Sequence, residues 1–172
     1  MILIAHNQTS HNQRWFTIPK PMSTSLSPLS ASEDLQKLHN QLCFPLYAVS
    51  RQLTRAYQPH LQELGLTYPQ YLVLLLLWEH DELTVKALGE KLLLDSGTLT
   101  PLLKRMEQKQ WLSRRRDPRD ERSVIIRLLG AGRELQQAAC HIPARLFEQL
   151  GLTTSEFETL RQQLHTLLTR LA

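Results

Sequence analysis

Apolar residues recur at helical spacing through most of this sequence. Between residues 32 and 66 they occupy positions 35, 38, 42, 46, 49, 53, 57, 61 and 64, so every step is three or four residues. This spacing predicts a long helix that begins near Ser32, with kinks or a break at Pro45 and Pro59, because proline removes a backbone donor. Such a helix is longer than one small domain needs to cover, which favours contact with a partner subunit.

Two shorter helices are predicted in the middle of the chain, joined by a tight polar turn as in a helix-turn-helix. Thr84 is a candidate N-cap for the first helix, and Asp95 or Ser96 can cap the second. The second helix has an apolar face, which is formed by Leu99, Leu102, Leu103 and Met106. A later start also stays open, with Thr100 as the cap and Pro101 as the first helical residue, because proline inside a helix removes a hydrogen bond.

The pattern changes from helix to strand after Trp111. The segment "WLSRRRDPRDERSVIIRLLG" reads as a strand, a charged turn at Asp117 and Pro118, and a β-branched second strand. A β-hairpin that directly follows a helix-turn-helix has the element order of a winged helix. The predicted fold is therefore mainly α with a small β-hairpin, a winged helix-turn-helix between long N-terminal and C-terminal helices.

The C-terminal part returns to helical spacing. Residues 133–150 are predicted to form one helix, which contains Cys140 as a buried residue and bends at Pro143. Thr153 and Glu156 have the spacing of a capping box and are expected to open the last helix.

Composition divides the chain further. The Ser-, Thr- and Pro-rich first segment is predicted to be disordered, and Met22 offers an alternative start that would make residues 1–21 an upstream extension. The predicted organisation is a single domain with a tail (1–31), dimerisation helices (32–66 and 133–172) and a DNA-binding region (67–132).

The positive charge is concentrated in one segment. The net charge is +4, yet residues 104–127 carry nine Lys and Arg against four Asp and Glu, which favours a polyanion as partner. The apolar run "YLVLLLLW" is too short to span a bilayer, so a cytoplasmic protein without membrane contact is expected. Two cysteines do not make a disulfide framework, the histidines lack metal-ligand spacing, and no phosphate-binding loop occurs, so neither metal nor cofactor is predicted.

A DNA interface is predicted from the helix-turn-helix and the hairpin. The second helix would enter the major groove, with Ser96, Thr98 and Thr100 near base edges and Lys104 and Arg105 near phosphates. The hairpin would add charge for the minor groove or the DNA backbone through Arg114, Arg116, Arg119 and Arg122. Asp120 could orient the guanidinium of Arg114 or Arg122. In the alternative reading, the hydroxyls only cap a helix and the arginines form a solvated turn.

A cysteine with neighbouring tyrosines is the other candidate for chemistry. By itself, Cys43 in "NQLCFPLY" would most often be a small buried residue. A reactive thiolate would need access and hydrogen bonds, which the phenols of Tyr47, Tyr57 and Tyr68 could donate.

The combination "NQLCF", "AYQP", "LTYPQY", "LDSGTLTPLLKR" and "DERSV" resembles the MarR family and, within it, the organic hydroperoxide resistance regulators. The resemblance covers about residues 35–170. It implies a homodimer of winged-helix subunits that represses transcription from a palindromic operator on double-stranded DNA. It also implies that Cys43 is the peroxide sensor, held across the dimer interface by Tyr57 and Tyr68.

The resemblance implies stoichiometric sensing, so no enzyme is predicted. Oxidised Cys43 would condense with a thiol, and the repressor would leave its operator. Members with a second, resolving cysteine carry it where this chain has Glu148, so Cys140 is not expected to fill that role and a small thiol is expected instead. Two alternatives stay open: a MarR-type repressor released by a small aromatic ligand, with Cys43 structural, and a thiol peroxidase or protein-interaction module.

Overall fold

The computed structural model describes residues 36–171, so the predicted tail (1–31) and the alternative start at Met22 lie outside the described residues. The chain divides into two units, Met1–Pro45 and Leu46–Ala172. In the first unit, Leu38–Asn40 forms a 3-10 turn, and helix α1 (Cys43–Glu63) begins before the unit ends.

The long helix starts at Cys43, so the predicted start near Ser32 is wrong. Pro45 explains the difference. It is the third residue of α1, where a backbone N–H would have no helical partner, whereas an earlier start would place the proline ring against a carbonyl in the helix interior. Pro59 does lie inside α1, and the helix continues past it to Glu63.

The second unit has the predicted winged-helix order. In its described part α1 is followed by α2 (Tyr68–His80), β1 (Glu82–Thr84), α3 (Val85–Leu92), α4 (Ser96–Gln108), β2 (Leu112–Asp117), β3 (Asp120–Leu128), α5 (Gly130–Ala139), α6 (Ile142–Leu150) and α7 (Thr154–Leu171). Helices α3 and α4 form the helix-turn-helix, and strands β2 and β3 form the wing. The predicted fold class is confirmed.

The sheet contains a strand that the sequence did not reveal. Strands β2 and β3 pair antiparallel as predicted, with Leu112 opposite Leu128. Strand β1 pairs with the other edge of β3, with Thr84 opposite Ile125, so the order is β1-β3-β2. A three-residue strand is too short to show the alternation of apolar and polar residues by which strands are recognised.

Helix α2 lies at the centre of the hydrophobic core. It packs with buried residues of α4, of the sheet and of the C-terminal helices, and the core includes Tyr71, Val73, Leu74, Leu77, Leu99, Leu103, Met106, Leu112, Ile126 and Ile142. Each fully buried apolar side chain of this size contributes roughly 1.5–3 kcal/mol. This packing, more than local propensity, fixes the positions of α3, α4 and the wing.

Local capping agrees with the sequence at both predicted sites. The Thr84 hydroxyl accepts a hydrogen bond from the Ala87 N–H at 3.1 Å and caps α3. At the start of α7, Glu156 accepts from the Thr153 N–H at 2.8 Å, and the Thr153 hydroxyl accepts from the Glu156 N–H at 3.3 Å. The capping box is therefore confirmed.

The predicted helix over residues 133–150 is in fact two helices, α5 and α6, which are separated at Cys140 and His141. Pro143 is the second residue of α6, a position where proline leaves no helical hydrogen bond unmade. Cys140 is exposed at the end of α5, so its predicted burial is wrong. The chain turns between the helices, and this turn leaves the thiol outside the core.

Gly132 is the glycine with the least space around it. A Cβ on Gly132 would lie 2.2 Å from the Trp111 carbonyl oxygen and 2.7 Å from Leu128 Cδ1. Its own carbonyl accepts a hydrogen bond from the Trp78 indole at 2.9 Å. Helix α5 therefore approaches the start of β2 at a distance that only glycine permits.

We predict that Gly132→Ala destabilises the protein by roughly 1–3 kcal/mol, because backbone atoms must move apart to admit the methyl group. Gly130→Ala is the matched control, since a Cβ there meets no heavy atom within 4 Å and alanine is the better helix former. Urea unfolding at equal protein concentration would measure both variants. Equal stability of the two would contradict the predicted close packing.

Candidate functional site

The first turn of α4 is fixed by a cap. The Asp95 carboxylate accepts hydrogen bonds from the Thr98 N–H at 2.9 Å and from the Thr98 hydroxyl at 2.8 Å. These bonds from Thr98 hold the pKa of Asp95 below its ordinary value. The helix therefore starts at Ser96, and Pro101 lies inside it, so the later start at Thr100 is not adopted.

The predicted contact residues of α4 lie on the side away from the core. The opposite side is buried and consists of Leu99, Leu102, Leu103 and Met106. Ser96, Thr98, Lys104 and Arg105 are exposed, and Thr100 is half-buried. Short hydroxyl side chains thus occupy the N-terminal half of the exposed face, and basic side chains follow toward its C-terminal end.

Glu107 connects α4 to the wing. Its carboxylate accepts from the Arg114 Nε at 2.8 Å and from the Arg114 backbone N–H at 3.1 Å. The hydrogen bond from the Arg114 side chain holds the pKa of Glu107 below its ordinary value. No sequence pattern predicts this pair, because its members lie on different elements and the turn between them sets their spacing.

Glu82 binds two further arginines at the base of the wing. Its Oε2 lies 3.4 Å from Arg115 Nη2 and 3.1 Å from Arg127 Nε. The arginines nearer the tip, Arg116, Arg119 and Arg122, are exposed. The basic run therefore divides into arginines that acids hold against the fold and arginines that extend into solvent.

The role predicted for Asp120 is not what the structure shows. Its carboxylate accepts a hydrogen bond from the Arg122 backbone N–H at 3.1 Å, so it shapes the turn instead of holding a guanidinium. The Arg114 guanidinium is bound by Glu107 instead. Asp117 makes a similar contact with the Arg119 N–H at 2.8 Å.

A groove of about 800 Å³ separates the helix-turn-helix from the wing. Ser96 and Thr100 line it on the α4 side, and Arg114, Asp120 and Arg122 line it on the wing side. Hydroxyl and basic groups thus face each other across one groove, an arrangement suited to a phosphate backbone and the adjoining base edges.

The candidate sensor residue Cys43 is the first residue of α1, and its side chain is exposed. The thiol lies 3.9 Å from the Gln41 amide oxygen, to which it donates. The helix predicted to begin near Ser32 would place Cys43 in its interior. The observed position at the N-terminus differs because the helix starts where Pro45 falls within its first turn.

Three tyrosines form a cluster between α1 and α2. The ring centroids of Tyr57 and Tyr68 are 5.0 Å apart, and those of Tyr57 and Tyr71 are 5.8 Å apart. Burial raises the pKa of Tyr57 to about 12, with smaller effects from Tyr68 and Tyr71. Burial also raises the pKa of Tyr68 and of Tyr71. The structure thus brings Tyr57 and Tyr68 together. It also adds Tyr71, the second tyrosine of "LTYPQY", which no sequence pattern placed in this cluster.

Tyr47 is placed differently. It is exposed on α1, where its phenol oxygen accepts from Arg51 Nη1 at 2.8 Å, and the Arg51 guanidinium lies 5.5 Å from its ring centroid. The third predicted partner of Cys43 thus has Arg51 as its neighbour along the helix.

Two absences concern only the described residues. Between residues 36 and 171, no group of His, Cys, Asp and Glu side chains is arranged to hold a metal ion. Within the same range, no helix is both long and apolar enough to cross a membrane.

A helix-turn-helix, a basic wing and a groove between them together define a winged-helix DNA-binding protein. Residues 66–124 match the MarR family. Over 138 residues the chain is 55% identical to the organic hydroperoxide resistance transcriptional regulator of Bacillus subtilis (strain 168), covering 78% of this chain and 92% of that protein. The chain belongs to the MarR family of DNA-binding transcriptional regulators, which are not enzymes.

Solved structures agree with this assignment. Reduced AbfR bound to DNA is 38% identical with a TM-score of 0.68, and the match covers 82% of this chain and 99% of that one. A MarR mutant from E. coli complexed with operator DNA is 28% identical with a TM-score of 0.68, and the match covers 74% of this chain and 93% of that one.

We predict that Glu107→Gln weakens operator binding about fivefold relative to Glu121→Gln, because partly exposed ion pairs contribute up to about 1 kcal/mol. Both variants remove one negative charge near the wing, but only the first releases Arg114. Fluorescence anisotropy at fixed salt would measure the two dissociation constants. Equal affinities would mean that Glu107 acts only through its charge.

We also predict that Tyr57→Phe makes the protein less sensitive to alkali. Since folding raises the pKa of Tyr57 from 10.0 to about 12, its stabilising contribution is complete below pH 10.0 and is lost as the pH rises through about 12. The free energy of unfolding should therefore fall less steeply in that window for the variant. Thermal melts of both proteins from pH 9 to 12 would test this, and parallel curves would contradict it.

Proposed function

We propose that this protein is a repressor that senses organic hydroperoxides by oxidation of Cys43 and then releases its operator. The proposal rests mainly on the exposed thiol at the first position of α1. Backbone N–H groups of the first helical turn can donate hydrogen bonds to an anionic sulfur there. The organic hydroperoxide resistance regulator at 55% identity supports the proposal. The structures of reduced AbfR bound to DNA and of disulfide-formed AbfR support a redox response, whereas overoxidised AbfR is, like the reduced form, bound to DNA.

The active form in this proposal is a homodimer on a palindromic operator. One face of α7 exposes a row of apolar side chains: Phe157, Leu160, Leu164, Leu168 and Leu171. On α1, Tyr47 and Val49 are exposed as well. Apolar surface of this extent is typical of a protein interface. A two-fold dimer would set the two α4 helices at the spacing of two half-sites.

DNA contact in the dimer is assigned to the exposed side of α4 and to the wing. Ser96, Thr98 and Thr100 would read base edges, and Lys104 and Arg105 would bind phosphates. The exposed wing arginines Arg116, Arg119 and Arg122 would bind the backbone or the minor groove. Arg114, held by Glu107, would act mainly by fixing the wing against α4.

Two tyrosines are proposed to hold the sulfur of Cys43. Tyr57 and Tyr68 of the opposite subunit would donate hydrogen bonds from their phenols across the dimer interface. Both phenols carry the proton that a donor requires at neutral pH, as any tyrosine with an ordinary pKa near 10 does, and burial raises their pKa values further. A sulfur that gained an oxygen atom would no longer fit between them.

The chemical step is a two-electron oxidation of sulfur. The Cys43 thiolate attacks the terminal oxygen of the hydroperoxide, a sulfur–oxygen bond forms, and the oxygen–oxygen bond breaks. The alkoxide leaves and takes up a proton to become an alcohol, and Cys43 is left as a sulfenic acid. A small thiol then displaces water from the sulfenic acid and forms a mixed disulfide.

We predict that an organic hydroperoxide plus a small thiol lowers operator affinity at least about tenfold in the wild type and leaves Cys43→Ser unchanged, because serine cannot be oxidised in this way. Anisotropy titrations with cumene hydroperoxide and cysteine, at one salt concentration, would measure the effect. Cys140→Ser is the matched control and should respond like the wild type.

Release of DNA from both the wild type and Cys43→Ser, or from neither, would defeat the proposed sensor. If a small aromatic ligand released both proteins without any oxidant, Cys43 would be a structural residue. A response lost in Cys140→Ser would identify Cys140 as the second thiol. Catalytic turnover of peroxide with a reductant would indicate a peroxidase.

A further inference from the structure

Lys109, which follows the recognition helix, joins two separate parts of the fold. Its side chain donates a hydrogen bond to the Gly65 carbonyl at 2.8 Å, and its ammonium lies 4.4 Å from the ring centroid of Trp111. Its backbone N–H also donates to the Arg105 carbonyl at 3.3 Å, which ties the residue to the last turn of α4. One side chain thus connects the C-terminus of α4 with the turn between α1 and α2.

The turn that Lys109 contacts is well defined. Gly65 has a φ of +66°, a conformation that L side chains rarely adopt. The Leu66 N–H donates to the Leu61 carbonyl at 2.9 Å, and the Gly65 N–H donates to the Gln62 carbonyl at 3.0 Å. These bonds close the end of α1 and hold the turn to that helix.

The tyrosine pair lies on those same two helices. Tyr57 is on α1 before the turn, and Tyr68 is the first residue of α2 after it. Their rings pack with centroids 5.0 Å apart. Gly65 lies in the turn that joins these two helices.

We infer that Lys109 is a positioning residue that transmits a change at the tyrosine pair, through Gly65, to the C-terminal end of α4. This inference rests on the proposed function. The elements follow one another in the fold: the tyrosine rings on α1 and α2, the turn that joins these helices, the ammonium of Lys109 at Gly65, and the last turn of α4. Packed contacts and hydrogen bonds of this kind carry coupling between sites when the joined elements have two arrangements.

Lys109 is suited to coupling more than to stability or DNA contact. It is exposed, so its hydrogen bond and its contact with Trp111 contribute modestly to folding. It also lies at the opposite end of α4 from Ser96 and Thr98. Its removal should therefore leave operator binding by the reduced protein nearly intact while weakening the response to oxidation.

The test compares three variants with the wild type. Lys109→Met keeps an unbranched side chain over Trp111 but removes the donor and the charge. Lys109→Arg keeps both. Lys91→Met, at an exposed position on α3, removes the same charge elsewhere and serves as the control. Operator affinity of each protein is measured by anisotropy at fixed salt, before and after treatment with cumene hydroperoxide and cysteine.

Coupling between sites typically changes affinity by about 5–150-fold, so the wild type should lose at least about tenfold on oxidation. We expect Lys109→Met to bind DNA within about threefold of Lys91→Met when reduced and to lose less than about threefold when oxidised. Lys109→Arg should restore the wild-type ratio. Mass spectrometry of Cys43 must show equal oxidation in all variants.

Other outcomes would overturn the inference. If the ratio for Lys109→Met equals that of the wild type, Lys109 does not transmit the change. If the reduced variant already binds as weakly as the oxidised wild type, Lys109 only holds α4 in place. If the wild type itself does not respond to oxidation, the proposed function fails, and the inference that rests on it fails too.

Discussion

The placement of the recognition helix depends on the burial of one side of α4. Four apolar side chains of this helix pack into the core, each contributing roughly 1.5–3 kcal/mol. Proline in a helix interior costs about 3 kcal/mol, so the packing outweighs the penalty of Pro101. Once that side is buried, the opposite side, with its hydroxyl and basic groups, can face only outward. The Asp95 cap then fixes where this exposed side begins.

Acidic residues organise the positive charge of the wing. Glu107 binds Arg114 to the end of α4, and Glu82 binds Arg115 and Arg127 at the base of the sheet. These pairs are partly exposed, so their value lies in fixing geometry more than in stability. These pairs hold the arginines near the base, whereas Arg116, Arg119 and Arg122 near the tip are exposed to solvent. The single basic run of the sequence thus forms two groups in the structure: arginines that acids bind at the base of the wing, and exposed arginines near its tip.

The sequence predicts well what is decided locally. Helical spacing, the Thr84 cap, the Thr153 capping box and the hairpin turn all depend on residues within one turn of each other. The start of α1 was placed too early because apolar spacing continues back through Leu42 and Leu38, which precede the α-helix. Strand β1 and the Glu107–Arg114 pair cannot be predicted from local patterns, because both depend on elements that meet only in the folded chain. The roles proposed for Cys43 and Tyr57 rest on family resemblance, since no spacing rule identifies such residues.

The chemistry of the tyrosine cluster also bears on how the proposed sensor responds to pH. Burial raises the pKa of Tyr57 to about 12, so this phenol keeps its proton throughout the neutral pH range. Its capacity to donate a hydrogen bond is therefore constant, whatever acid or base the cell meets. A sensor that depended on a histidine would respond to acidification as well as to oxidation, because histidine changes its charge between about pH 5 and 8. Under the proposed function, a change of pH therefore does not alter the hydrogen bonds that the tyrosines donate, and the oxidation of sulfur is the event that changes the site.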